Sequence, residues 1–158
     1  MKIQNGTVNL MEALNTFIES TDDDWNFILP IDLEEELKEK HNLFLLDVRR
    51  PEDFCKGHIK GAVNIFWLDI LKPENLSKLP RDKEIVIICY VGHTASQTLV
   101  LLRLLGYKAV VLKFGMGHSP MKGVPISGWL NFNFDVEREE EDEIKGREQG
   151  RSLSRSEG

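Results

Sequence analysis

Residues 84–96 read Glu84-Ile85-Val86-Ile87-Ile88-Cys89-Tyr90-Val91-Gly92-His93-Thr94-Ala95-Ser96. The unbroken β-branched run predicts a strand over 84–89, with both faces buried rather than one. A short loop around Gly92 follows, and then a helix from about Thr94 to Leu105, ended by Gly106 in the C-cap role. Ala109-Val110-Val111-Leu112 predicts the next strand. Strand, helix and strand joined by such short links imply an α/β domain with a mainly parallel sheet.

The same alternation extends upstream. Leu43-Phe44-Leu45-Leu46-Asp47-Val48 is a second continuous apolar run of strand length, and Phe27–Leu29 and Ala62–Ile65 are shorter strand candidates. Asp32 with Glu35 three residues on has the form of a capping box, before a short helix ending near His41. Short helical pieces are expected around Leu68–Leu71 and Pro73–Lys78. At the N-terminus, Leu10, Met11, Leu14, Phe17 and Ile18 fall on roughly one helical face, with Asn5 and Thr7 as cap candidates. The organisation expected is an amphipathic helical extension over 1–24, a domain over 25–134 and a charged tail over 135–158.

That tail carries nine acidic and five basic residues, which is four of the six negative charges of the 158-residue chain. With almost no apolar side chains it lacks the burial that would offset its ordering entropy, so an unordered end is expected. The acidic balance argues against nucleic acid as a partner, since phosphate binding needs surplus Lys and Arg. No apolar stretch has the length of a membrane span, and Met1–Gly6 lacks the apolar run of a secretory signal. A cytoplasmic protein is therefore expected. Two cysteines, Cys55 and Cys89, are too few for a disulfide framework or a cysteine-based zinc site.

Cys89 stands at the carboxyl end of a central strand, where open α/β sheets place their ligands. The N–H groups of the following helix favour a thiolate over a thiol. Gly92 lets successive amides curl inward as an anion nest. A partly exposed thiolate in such a cradle is a sulfur nucleophile. The local pattern equally allows a small buried hydrophobe that ends a core strand.

Two stretches together resemble the rhodanese-like family. Residues 43–67, LFLLDVRRPEDFCKGHIKGAVNIFW, are similar to its first signature, with an Asp-Val-Arg turn and Gly-His-Ile-x-Gly-Ala-x-Asn. Residues 85–107, IVIICYVGHTASQTLVLLRLLGY, resemble its active-site strand, loop and helix. Lys113-Phe114-Gly115-Met116 and Gly128-Trp129 look like its closing elements, so the resemblance spans about residues 25–130. It implies a three-layer α/β fold, with a central, mainly parallel five-stranded sheet and helices on both faces. It also implies a persulfide on Cys89, formed from thiosulfate or another sulfane-sulfur donor and passed to a thiol, a protein acceptor or another nucleophile. The amides of Tyr90, Val91, Gly92, His93, Thr94 and Ala95 would hold the charged sulfur, and neither metal nor organic cofactor is implied.

Many active members carry arginines at the positions of Tyr90 and Thr94. This loop has no guanidinium and resembles a subgroup with a Cys-Tyr-x-Gly-x-Thr-Ala loop. The departure counts against thiosulfate:cyanide transfer more than against persulfide formation. Related cysteine phosphatases place an arginine six residues after the nucleophile, which here is Ala95, so phosphate chemistry is not expected. Asp47 and Arg49 are expected to brace the loop as a pair. His58 would fix a turn, His93 could tune the thiolate, and Lys113 could supply charge or be an exposed strand-end lysine. Cys55 is expected to be a bystander thiol, and residues 117–125 to rim the pocket. The other class of function open to this sequence is a binding or regulatory module, or a redox-sensing thiol.

Overall fold

The computed structural model describes residues 9–21, 23–39, 42–117 and 127–139. Helix α1 (Leu10–Glu19) is followed by β1 (Phe27–Ile28), α2 (Pro30–Lys38), β2 (Leu43–Asp47), α3 (Pro51–Lys56) and β3 (Val63–Asn64). A 3₁₀ turn (Trp67–Asp69) and α4 (Pro73–Leu76) lead to β4 (Glu84–Ile88), α5 (His93–Leu104), β5 (Ala109–Leu112) and a second 3₁₀ turn (Trp129–Phe132). The five strands form one sheet in the order β1-β5-β4-β2-β3, and every pairing is parallel. The parallel α/β sheet expected from the alternating pattern, and the five-stranded fold that the resemblance implies, are therefore present.

Apart from Asp47 and Glu84 at their ends, the central strands β2, β4 and β5 are apolar because each face meets its own layer. Leu46, Ile85, Ile87, Ala109 and Val111 pack with Ala95, Leu99 and Leu102 of α5. Leu45, Val86, Ile88, Val110 and Leu112 face the opposite way, against Leu33 of α2, Met116 and Trp129. Successive residues of one strand thus alternate between two cores. Helix α5 ends in a Schellman motif: Tyr107 N–H donates to the Leu102 carbonyl and Gly106 N–H to that of Arg103, with Gly106 at φ +79°.

Three expectations are corrected. Helix α2 starts at Pro30 with Leu29 as its N-cap and no side-chain cap. Asp32 therefore sits inside the first turn, and the Asp32/Glu35 capping box does not form, because proline's fixed φ starts the helix two residues early. Helix α1 is capped by Asn9, whose side chain accepts from Met11 N–H at 3.1 Å; the candidates Asn5 and Thr7 lie outside the described residues. Its inward stripe is centred on Ala13, with Leu14 and Phe17 half-buried, while Leu10, Met11 and Ile18 are exposed. It packs on α5, and Arg103 ties its end by donating to the Ser20 carbonyl at 2.6 Å.

The third correction concerns the start of the charged tail. Residues 135–139 lie against the domain. His58 and Glu137 exchange backbone hydrogen bonds as an antiparallel bridge, at 3.0 and 2.9 Å, and Glu139 N–H donates to the Cys55 carbonyl. Trp129 Nε1 donates to the Asp135 carbonyl, and Val136 packs into the core layer around Trp129. Backbone pairing and one valine hold a segment whose composition alone reads as unordered. The remainder, 140–158, lies outside the described residues.

At the end of β2, Asp47 is fully buried and Arg49 is 4% exposed. Arg49 Nη2 reaches Asp47 Oδ2 at 2.7 Å and the Gly57 carbonyl at 2.8 Å, and Nε lies 3.0 Å from both carboxylate oxygens. Removing one partner of such a pair leaves a buried charge uncompensated. Asp47→Ala is expected to lower unfolding stability by about 3–5 kcal/mol, read from urea denaturation. A loss no larger than that of an exposed ion pair would contradict the bracing role.

Candidate active site

The loop after β4 is built from the backbone outward. Gly92, at φ +99°, is the N-cap of α5, and this left-handed conformation aims its N–H back at the Cys89 sulfur, 3.0 Å away. His93, Thr94 and Ala95 are the first residues of α5, so their N–H groups have no acceptor within the helix. Their partial positive charges add to the amide already on the sulfur. The Ala95 side chain is packed in the α5 core layer, His93 is exposed, and Val91 and Thr94 are half-buried.

The Cys89 residue is 1% exposed, which corrects the expectation of a partly exposed thiolate. The reason is side-chain packing: Cys89 belongs to the core layer of α5, with Ala95 and Leu99. The turn after β5 fixes the same strand end through the main chain. Met116 N–H donates to the Cys89 carbonyl at 2.9 Å and Gly117 N–H to that of Tyr90 at 3.0 Å. Gly115 sits at φ +52° so close to this strand end that a Cβ would overlap the Cys89 carbonyl oxygen. The Gly-Met pair is a docking surface for the Cys89 loop, and only glycine meets both demands.

The Tyr90 side chain turns away from α5 toward α3. Its hydroxyl donates to Asp53 Oδ2 at 2.6 Å, and Arg50 N–H lies 3.4 Å from the phenol oxygen. Burial and the Asp53 hydrogen bond push the Tyr90 phenol up to about 12. Burial alone would raise Asp53, but the hydrogen bonds from Tyr90 and Lys56, with the charges of Lys56 and Arg49, hold its carboxyl below its usual value. Asp53 was not among the site residues read from the sequence. It is 37 residues from Tyr90, and its acidic place in the first turn of α3 was the sole hint.

The other candidates divide by location. Asp47 and Arg49 form the buried pair behind Tyr90, with Arg49 Cζ 6.0 Å from the Tyr90 ring. His58 is buried and stacked on Phe54 at 3.7 Å, with Nδ1 3.0 Å from the Phe54 carbonyl, which is the turn-fixing arrangement. Lys113 is exposed and lines a groove beside β1 with Asp24, Asp32 and Glu36, none of which belongs to the Cys89 loop. Cys55 is buried and donates to Glu139 Oε2 at 3.0 Å. Of the expected pocket rim, residues 118–125 lie outside the described residues. Among the described residues no cluster of His, Cys, Asp and Glu is arranged to hold a metal ion, and no helix is long and apolar enough to cross a membrane.

Residues 29–117, more than half of the chain, match the rhodanese-like domain family. The chain belongs to the rhodanese-like family. Its structure is similar to that of a rhodanese-related protein from Thermoplasma volcanium, with 25% identity and a TM-score of 0.59, covering 73% of this chain and 100% of that one. A rhodanese-like domain protein from Staphylococcus aureus gives 26% identity and a TM-score of 0.55, over 65% and 99% of the two chains. The Alr3790 protein from Anabaena shares the fold, at 23% identity and a TM-score of 0.61 over 78% and 90%. The family match places Cys89, the Asp47–Arg49 turn and Gly115 inside the rhodanese-like domain, and leaves α1 and residues 127–139 outside the matched span.

The Tyr90–Asp53 contact has a pH signature. Tyr90 is raised in the folded state, so its contribution to stability is complete below the ordinary phenol value of about 10 and is lost as pH rises toward about 12. Asp53 is lowered, so its contribution is complete above the ordinary carboxylate range and is lost as pH falls through its folded value. Ultraviolet titration of the folded chain, which has two tyrosines, is expected to show an ionisation near about 12 that disappears in Tyr90→Phe. A Tyr90 step at the ordinary phenol pH would contradict the contact.

Proposed function

We propose that this rhodanese-like domain is a sulfurtransferase or sulfur carrier that forms a persulfide on Cys89. The observation that carries the reading is the Gly92 amide, 3.0 Å from Cys89 Sγ at the N-terminus of a twelve-residue helix. An amide donor at that distance is placed to meet negative charge that develops on the sulfur during transfer.

In the first half-reaction the Cys89 thiolate attacks the outer sulfur of the donor. With thiosulfate, a bond forms between Cys89 Sγ and that sulfur as the donor's S–S bond breaks. Sulfite leaves with the electron pair, and the negative charge ends on the terminal sulfur of the persulfide. In the second, an acceptor thiolate attacks that terminal sulfur, the persulfide bond breaks, and Cys89 departs as thiolate. Charge thus moves from Sγ to an atom about 2 Å further out and back again. A row of amides suits this task better than a single point charge, because successive donors can follow the charge with no reorganisation. Asp47 and Arg49 contribute by holding the strand end, and His58 by holding the turn after α3.

The alternative is a binding or regulatory module with little turnover, or a redox-sensing thiol. The burial of Cys89 and the arginine-free loop favour it. Intact-mass measurement separates the two. Incubation with thiosulfate or a low-molecular-weight persulfide is expected to add one sulfur atom, removable by excess thiol and absent from Cys89→Ser. Absence of the adduct with both donors would overturn the transfer reading and leave the alternative standing.

A further inference from the structure

The loop after Cys89 carries no guanidinium, and the fold brings one to the cavity beside Tyr90, the next residue. The bridge at His58 fixes the backbone of 136–138 as extended, so Val136 and Arg138 share a face and Glu137 points the other way. Val136 lies over Gly57, 3.5 Å from where a Cβ at that position would stand. Arg138 therefore projects along the same side, and it lines a cavity of about 210 Å³ with Arg49, Lys56, Gly57, Leu130 and Tyr90, the residue after Cys89; Asp53 completes the wall.

The charges in this cavity do not cancel. Arg49 is matched by Asp47 at 2.7 Å and Lys56 by Asp53 at 3.1 Å. Asp53 is further occupied by the Tyr90 hydroxyl. Arg138 is exposed and has no carboxylate partner among the described residues. The acids flanking it in sequence are engaged elsewhere: Glu137 with Lys60 and the Gly61 N–H, and Glu139 with the Cys55 thiol. Among the described residues one positive charge is left over, in an otherwise acidic protein.

We propose that this cavity is an anion subsite, with Arg138 as its principal donor and Lys56 beside it, for a small divalent oxyanion of thiosulfate size. A cavity of about 210 Å³ accommodates a small anion of a few heavy atoms. A planar guanidinium fits two oxygens of a sulfonate end at once, whereas a lysine would offer a point charge. Arg138 lies beyond the matched span of residues 29–117, so the charge comes from a segment outside the shared domain. Assigning the anion as the sulfur donor rests on the transfer reading above; the existence of the anion site does not.

The test uses the full chain carrying Cys89→Ser, which cannot accept sulfur. Calorimetric titration with thiosulfate is expected to show binding that sulfate competes for and acetate does not. Arg138→Glu is expected to weaken it by about tenfold or more, and Arg138→Lys to retain part of it. Unchanged affinity in Arg138→Glu, or no binding in the parent, would overturn the subsite. With Cys89 present, Arg138→Glu is expected to raise the thiosulfate concentration needed for half-maximal persulfide formation while leaving the saturating rate in place. If the chain acquires sulfur with no dependence on Arg138, the subsite falls and the transfer reading stands. If Arg138-dependent binding occurs and Cys89 acquires no sulfur, the reverse holds.

Discussion

The buried ion pair of Asp47 and Arg49 is the constraint to which the functional end of this molecule is tied. Asp47 ends β2 and is wholly enclosed, so its charge must be met from within the protein. Arg49, two residues on, meets it and spends a further donor on the Gly57 carbonyl at the end of α3. Asn64 closes the same knot from β3, its amide donating to the carbonyls of Asp47 and Arg49 at 3.0 Å. Three consecutive elements, β2, α3 and β3, are thereby held to one point. From that point α3 carries Asp53 to the Tyr90 hydroxyl, and Gly57 gives Val136 its place. Compared with a purely apolar contact, the pair is demanding in geometry, and that demand confers a defined position on the loop.

The Cys89 loop itself is held through main-chain groups. Its carbonyls at Cys89 and Tyr90 take the N–H groups of Met116 and Gly117, and its sulfur takes that of Gly92. Backbone donors have no rotamers to order, so the loop is preorganised around the sulfur without needing a charged side chain. The consequence is a site with a local field from amides and a helix end but no mobile cation of its own. Long-range attraction of an anion then depends on cations set around the loop, which is where Arg49, Lys56 and Arg138 stand.

Much of this was legible in the chain, for a physical reason. Strands buried on both faces must be apolar throughout, so Leu43–Val48 and Glu84–Cys89 announce themselves, and the helix between Gly92 and Gly106 is bracketed by two glycines that need positive φ. The family resemblance rests on these same residues. Boundaries were less readable where two local signals competed. Pro30 overrode Asp32 as the start of α2, and Ala13, a small residue, sits at the packing stripe of α1 that larger apolar neighbours seemed to define. Contacts across long separations left almost no local trace. Tyr90 with Asp53 and Cys55 with Glu139 join residues whose neighbours show nothing of the partner.

Residues 135–139 show most clearly why composition misleads at a chain's polar end. Five residues with one apolar side chain cannot be placed by burial, and averaging over the whole acidic tail hides them. What places them is the open hydrogen-bonding edge at Cys55–His58, which any extended backbone can satisfy, together with the fit of Val136 over a glycine. Side-chain direction then follows from the two-residue period, without further information. Glu137 and Glu139 turn toward Lys60, Gly61 and Cys55, and Arg138 turns toward the Tyr90 cavity. A shift of one residue in this short bridge would exchange those faces, placing carboxylates beside Tyr90 and withdrawing the guanidinium. The charge available to an anion next to the Cys89 loop is thus set by the register of a single backbone bridge, and the Asp47–Arg49–Gly57 knot is what keeps its partner segment in place.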